Sequence, residues 1–420
     1  MSESTCVRAV RPWGGALSDV LIEDGVIREV VPHTPGSAGP GHGQVIAGHG
    51  HLALPAFADV HAHLDSTRLG LPFRPHTARD GLLGLIDNDL ENWRDAEESV
   101  SERATRTLGM TIASGATVVR SHAQIDVSSG LDRLEGVLAA REAHADRAEV
   151  QVVAFPQAGI VRAPGTVDLL RAAMSSGADL IGGIDPCALD RDPAQHVDIV
   201  FDIAHRHGVG IDIHLHEPGE LGCFTMELIC DRVRSLGMQG RVTISHAFAL
   251  ATAPPPRIQA VIEQLAHLDI ALTTIAPSGQ RVLPADQLAA SGIRLGLGQD
   301  GMRDYWSPFG DGDMLGRTWQ LAFTQQLRHD RLIERCLAIA TVGGRAVVGT
   351  GEPAAASWTD TADTCPGLRR GDRADLLLLP GETVTSAIMD RPKRRTVLRA
   401  GRVVAVDGSL SPEALRKAVS

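Results

Sequence analysis

Aromatic residues are scarce in this chain: Phe, Trp and Tyr make up 3% of its 420 residues. Packing must therefore rest on Ala, Leu, Val and Ile, and an apolar fraction of 43% is enough for one large core. Long apolar runs are missing too. Nothing approaches the roughly 18 residues of a membrane span, and the opening MSESTCVRAV has no signal-peptide core. This excludes a membrane partner and gives a cytoplasmic protein as the expectation. Cysteine is limited to Cys6, Cys187, Cys223, Cys230, Cys336 and Cys365, with no CxxC pair, so free thiols are expected rather than a zinc knuckle or a thioredoxin-type motif. Positive charge is also short, with 40 Lys and Arg against 51 Asp and Glu and no basic stripe, which argues against nucleic acid as a partner.

What the chain does have is a regular alternation. Eight apolar runs are separated by segments with helical spacing: FADVHAHL (57–64), TVVRSHA (117–123), VQVVAFPQ (150–157), DLIGGIDP (179–186), GIDIHLHE (210–217), RVTISHA (241–247), DIALTTIAPS (269–278) and RLGLGQDG (294–301). Eight buried strands alternating with helices predict a (β/α)8 TIM barrel, class α/β, over 56–351. Both ends read differently. SDVLIEDGVIREVV near the start and RRTVLRAGRVVAVDG near the end are strand–turn–strand patterns. Residues 1–55 and 352–420 are therefore expected to form one small β-sandwich domain, with TGEPAAASWTDTADTCPG (350–367) as a linker.

The polar residues fall where a barrel needs them. Each run is apolar until its last residues, which bring His61, His63, His122, Gln157, Asp185, His214, His216, Glu217, His246 and Asp300. In a (β/α)8 barrel these carboxyl ends converge on one rim, where such enzymes carry their active sites. A single buried histidine is most simply a satisfied core residue, but a polar residue at nearly every strand end is not core packing. Strand parity points His61 and His63 the same way. With a third imidazole from strand 5 and Asp300 from strand 8 they make a three-nitrogen, one-oxygen set, which suits one divalent ion, Zn or Fe. Parity alone leaves His214 and His216 equivalent.

The ordered series HAHLD, RSHA, VAFPQAGI, IDIHLHE, SHA and GLGQD, followed by DYWSPFGDGDML, resembles the amidohydrolase superfamily, and within it the cytosine deaminase group, over nearly the full length. The resemblance implies His61, His63, His214 and Asp300 as metal ligands, because its His-x-x-Glu frame selects His214 over His216. It implies Glu217 as the residue that shuttles a proton and His246 as the partner of the attacking water. Gln157 would bind the substrate's ring amide and Trp306 would line the pocket. Strand 4 ends GGIDPC, without the lysine that bridges two metals in dinuclear members, so a single ion is implied. The implied reaction is hydrolytic deamination of an amino-substituted nitrogen heterocycle, in which activated water attacks the C–NH2 carbon and ammonia leaves.

Two departures bear on the substrate. Cytosine deaminases carry two successive aspartates at the end of strand 8; here the pair is Asp300-Gly301, which removes a substrate-contacting carboxylate and opens space. Strand 4 ends IDPC where the group often has Ile-Pro-His, and Asp185 is a candidate replacement carboxylate. A substituted pyrimidine, a triazine of the N-isopropylammelide type, creatinine or a pterin all fit this reading. Its alternative is an amidohydrolase that cleaves a cyclic amide or removes an N-substituted amine from a triazine or pyrimidine ring. The partner is a small heterocycle in either case. A homo-oligomer fits the fold type, with no subunit number legible. The other zinc deaminase class is excluded, because Pro186-Cys187 has no second cysteine in register.

Overall fold

The eight apolar runs become strands because each is buried on both faces, by the barrel interior and by the helices outside it. The computed structural model describes residues 4–36, 43–349, 358, 359 and 365–412. Its barrel strands are β1 (Phe57–Ala62), β2 (Ala116–Gln124), β3 (Glu149–Phe155), β4 (Leu180–Ile184), β5 (Gly210–His214), β6 (Val242–Ser245), β7 (Ala271–Thr274) and β8 (Leu295–Leu297). Each pairs in parallel with the next. All nine residues of β2 are buried, which is why its sequence shows no polar alternation.

Closure between β8 and β1 is made at the rim. Asp300 N donates to His61 O at 2.7 Å, and Ala62 and Asp300 form an isolated parallel bridge. Gly298 permits the approach, since a Cβ there would lie 2.5 Å from the His61 Cβ and 2.7 Å from its carbonyl oxygen. The seam of the barrel therefore sets Asp300 beside His61 and His63.

Helices between the strands carry conventional end signals. Ser99 and Glu102 form a capping box on the helix Val100–Ala113, and Asp192 caps Pro193–His207, which Gly208 ends at φ 67°. That second helix turns Val197, Val200, Phe201 and Ala204 toward the core. No helix among the described residues is long and apolar enough to cross a membrane.

The two chain ends meet as expected. Leu52–Pro55 pairs antiparallel with Leu376–Leu379, joining both ends in one nine-stranded mixed sheet. The first strand, Ser4–Pro12, pairs with Gln44–Ala47 through Thr5–Arg8 and with Leu52 and Ala53 through Arg11 and Pro12, so the two halves of the sheet share it. Leu52–Pro55 of this sheet is followed after one residue, Ala56, by β1. The boundary at 352 and most of the linker 350–367 lie outside the described residues. Across the contact, Arg395 grips Asp313 with two bonds, at 2.7 and 2.9 Å, and Asp313 in turn caps the helix Met314–Thr324 through Leu315 N.

Candidate metal centre and active-site cavity

Of the four expected ligands His61 lies on β1, His63 directly follows it, His214 ends β5 and Asp300 comes from the seam. His63 Nε2 lies 3.3 Å from Asp300 Oδ1 and 3.3 Å from His214 Nε2; His61 Nε2 lies 3.5 Å from Asp300 Oδ1. A tetrahedral ion with metal–nitrogen bonds near 2.1 Å would hold its donors about 3.4 Å apart, so these spacings fit a shared ion. An orphaned atom fits as well: His61 Nε2 is buried with no hydrogen-bond partner among the described residues.

The tautomer of His61 is fixed from behind. Its Nδ1–H donates to Ser245 Oγ at 3.0 Å, Ser245 donates to Asp212 Oδ1 at 2.6 Å, and Arg120 donates to Asp212 Oδ2 at 2.9 Å. Thr273 donates to the remaining lone pair of Ser245 at 2.9 Å. This leaves the His61 Nε2 lone pair facing the other donors, the usual second-layer arrangement behind a metal-binding histidine. Burial pushes the pKa of His61 down and those of His214 and His246 far down, and neutral imidazoles are the form that binds metal. Burial works against the Asp300 charge too, yet its bonds to His61 and His63 hold that carboxyl well below its usual range.

Above these donors is a cavity of about 140 Å³ lined by His63, His214, His216, Gln157, Asp304 and Trp306 among others, and reaching Asp300 and Gly301. Gln157 is oriented by its neighbour: its Nε2 donates to Asp89 Oδ2 at 3.1 Å, and Asp89 is anchored by Arg133 at 2.8 Å. The amide oxygen of Gln157 is thereby left to accept from a ligand N–H. Trp306 packs with Phe155, Ile184 and Leu189 and forms the apolar wall.

Asp185 does not face the cavity. It is 1% exposed and holds His216, accepting from His216 N and from its Nδ1, each at 2.7 Å. The other ring nitrogen of His216 is the one left for chemistry on the cavity side. Burial lowers the His216 pKa, but the Asp185 charge outweighs it and the pKa is raised overall.

Glu217 lies elsewhere than the resemblance implies. Its Oε1 accepts from Cys187 N and Ala188 N at 2.7 and 2.8 Å, its Oε2 accepts from Thr225 Oγ1 at 2.5 Å, and it is no part of the cavity wall. With these donors taken up, the carboxylate pins the short turn Pro186–Asp190 that follows β4. In this geometry the Glu217 carboxylate is turned toward that turn, which supplies two of its three hydrogen bonds.

Gly301 lines the cavity, and the space its missing side chain leaves is partly taken up. A Cβ on residue 301 would lie 2.0 Å from Asp304 Oδ2. The Asp304 carboxyl, four residues later, occupies the place a side chain at 301 would take. Its Oδ1 accepts from Trp306 N and Ser307 N, both at 2.9 Å, while among the described residues Oδ2 has only Ser66 Oγ at 3.4 Å. Burial pushes its pKa up to about 7.

The sequence left His122 unassigned, placed Asp304 within reach of the substrate without fixing its direction, and gave no sign of the Ser245–Asp212 support. His122 sits with His61, His63 and His214 in one group of potential donors, while His246 groups with His61 and Asp300. Burial drives the His122 pKa down to about 3. Backbone strain gathers at the same rim: Asp185, His246 and Asp300 are non-glycine residues at φ 37°, 68° and 66°. Such positions cost roughly 1–3 kcal/mol each and tend to cluster at working sites.

A closed (β/α)8 barrel with a buried His/Asp donor cluster at its carboxyl rim defines a barrel enzyme able to hold a metal ion in its active site. The chain belongs to the amidohydrolase family, whose model matches residues 44–405. It is 30% identical over 366 residues to an N-isopropylammelide isopropyl amidohydrolase of Pseudomonas sp. strain ADP, covering 85% of this chain and 87% of that protein. The structure of an N-isopropylammelide isopropylaminohydrolase from Burkholderia multivorans is 35% identical, with a TM-score of 0.88 over 97% of this chain and 100% of that one. A 5-methylcytosine deaminase from Klebsiella pneumoniae, bound to phosphonocytosine, is 26% identical with a TM-score of 0.78, covering 96% and 98% of the two chains. The protein is thus a hydrolase acting on C–N bonds.

Proposed function

We propose that this enzyme removes an exocyclic amino group from a single-ring nitrogen heterocycle by hydrolysis, using one divalent ion held by His61, His63, His214 and Asp300. The observation that carries the reading is the pairing of this donor cluster with a cavity whose walls match a planar, polar ring. A cavity of about 150 Å³ holds one benzene, so 140 Å³ takes one six-membered ring. When bound, the ion supplies Lewis acidity and brings a coordinated water into its ionising range near pH 7.

The chain's own residues divide the remaining tasks. The Gln157 oxygen accepts from a ring N–H, Trp306 covers the ring face, and Asp304 Oδ2 reads the ring edge on the seam side. His246, whose ring nitrogens have no partner among the described residues, lies beside His61 and Asp300 and orients the attacking water. His216, steadied at Nδ1 by Asp185, exchanges the proton between that water and the ring nitrogen or leaving amine through its other nitrogen. Glu217 acts as a positioning residue, through the turn that begins at Pro186.

Ammonia is the leaving group in the primary reading. A small alkylamine is the second, favoured by the two N-isopropylammelide hydrolases among the relatives. The test is a panel of amino- and alkylamino-substituted pyrimidines and triazines, assayed separately for ammonia and for alkylamine. Release of one of them with formation of the ring carbonyl is the expected result. Ring opening without amine release would overturn the reading.

A further inference from the structure

Beside the ring cavity, and sharing Asp300, Gly301 and Ser307 with it, an open vestibule of about 960 Å³ leads to solvent. Its charge runs against that of the chain. The protein carries a formal net charge of −11, yet this mouth is lined by Arg281, Arg303, Arg317 and Arg391. The carboxylates lining it are Asp300, committed to the histidine cluster, and Asp311.

Arg317 is structural: it donates to Gln299 O at 2.6 Å and Ile275 O at 3.2 Å. The other three differ from most arginines of this protein. Arg335, Arg257 and Arg206 each hold a carboxylate, whereas Arg281, Arg303 and Arg391 have no carboxylate partner among the described residues. They are instead set in place by packing and backbone. The Arg281 guanidinium lies over the Phe248 ring at 5.2 Å and that of Arg391 over the Trp319 ring at 4.6 Å. Arg303 sits at φ 47° in a loop fixed at both sides, its N donating to Phe309 O at 2.7 Å and its O accepting from Arg68 N at 3.0 Å. Stacked guanidinium groups lose little freedom on binding and present a planar fork of donors, which is how arginine recognises oxyanions.

We infer that the vestibule binds an oxyanion substituent, a carboxylate or phosphate, carried by the ring that the inner cavity holds. The preferred substrate is then an amino-heterocycle with an acidic side arm, the ring between Gln157 and Trp306 and the arm directed out past Gly301. A field of unpaired positive charge at a cleft mouth also draws an anionic substrate in from solution. The inference rests on the reaction proposed above.

Matched aminotriazines with neutral alkyl, carboxyalkyl and phosphoalkyl arms of equal length, assayed for amine release on the metal-loaded enzyme, test it. At low ionic strength kcat/KM for an acidic compound should exceed that for the neutral one by tenfold or more. The advantage should fall about threefold for each of Arg281→Gln, Arg303→Gln and Arg391→Gln, in line with exposed ion pairs, and should collapse near 1 M salt. The carboxyl and phosphoryl arms tell which oxyanion is preferred. An anionic-to-neutral ratio near one, or a ratio unmoved by all three substitutions, would overturn the inference while leaving the reaction intact. Failure of every compound, the neutral one included, would overturn the reaction itself.

Discussion

Exchanging the roles of two adjacent residues is the sharpest consequence of the geometry, and His216→Asn compared with Glu217→Gln separates them. Asn at 216 keeps an N–H near the place of Nδ1, so Asp185 retains a donor, but it has no group that can carry a proton. General acid–base catalysis contributes about 10²–10⁴-fold, so kcat should fall by that factor, equivalent to about 2.7–5.4 kcal/mol of transition-state stabilisation. Folding stability and metal content should stay near those of the parent. Gln at 217 keeps an oxygen for Cys187 N and Ala188 N but removes the charge from those bonds and replaces the acceptor of the Thr225 hydroxyl. Weakening charge-assisted bonds of this kind costs about 1–3 kcal/mol, so E217Q should lower the urea midpoint while losing less turnover than H216N. Amine release, urea unfolding followed by circular dichroism, and metal content on the same preparations give the three readouts. Turnover lost by orders of magnitude in E217Q at unchanged stability, with H216N near normal, would refute the assignment.

Three further outcomes are expected. Ser245→Ala removes the acceptor that fixes His61 Nδ1, so affinity for the ion should fall about 10–100-fold; competition with a chelator measures it. Arg395→Met leaves the buried Asp313 with the exposed Lys393, 3.4 Å away, in place of two short guanidinium bonds, and should cost about 3–5 kcal/mol in urea unfolding at pH 7. Burial opposes the Asp313 charge, but Arg395 holds its pKa below the ordinary value of 3.8, so this contribution is present above pH 3.8 and is lost as pH falls through the depressed value. A penalty for Arg395→Met that did not shrink on acidification would contradict this. Gly301→Ala drives a methyl group into Asp304 Oδ2 and should cost about 1–3 kcal/mol while raising KM. Unchanged KM and stability would remove Asp304 from the cavity edge.

The barrel was legible because its signal repeats: eight buried runs, each ending in a polar residue, follow from strands that share one interior and one rim. His61, His63 and Asp300 could be read for the same reason, from parity and strand ends. Glu217 lies three residues past the end of β5, where strand parity no longer fixes direction, and its role rests on the His-x-x-Glu resemblance alone. Asp304 lies in a loop past β8, where no period tells which way a side chain points, so its return to the place of residue 301 is a property of the folded loop. The support behind His61 joins β1, β5 and β6 through Asp212 and Ser245. The Arg395–Asp313 bond spans 82 positions. Contacts at such separations leave no pattern in a single sequence.

The central claim is that one ion, held by His61, His63, His214 and Asp300, is required for amine release. Metal content per chain, measured together with amine release on the enzyme as purified, after chelation and after restoring Zn²⁺ or Fe²⁺, tests it most directly, with His63→Ala in parallel. The account predicts about one ion per chain, turnover that disappears on chelation and returns with the ion, and a His63→Ala protein that is folded but metal-poor and inactive. Full turnover in chelated enzyme, or a full complement of metal in His63→Ala, would contradict it.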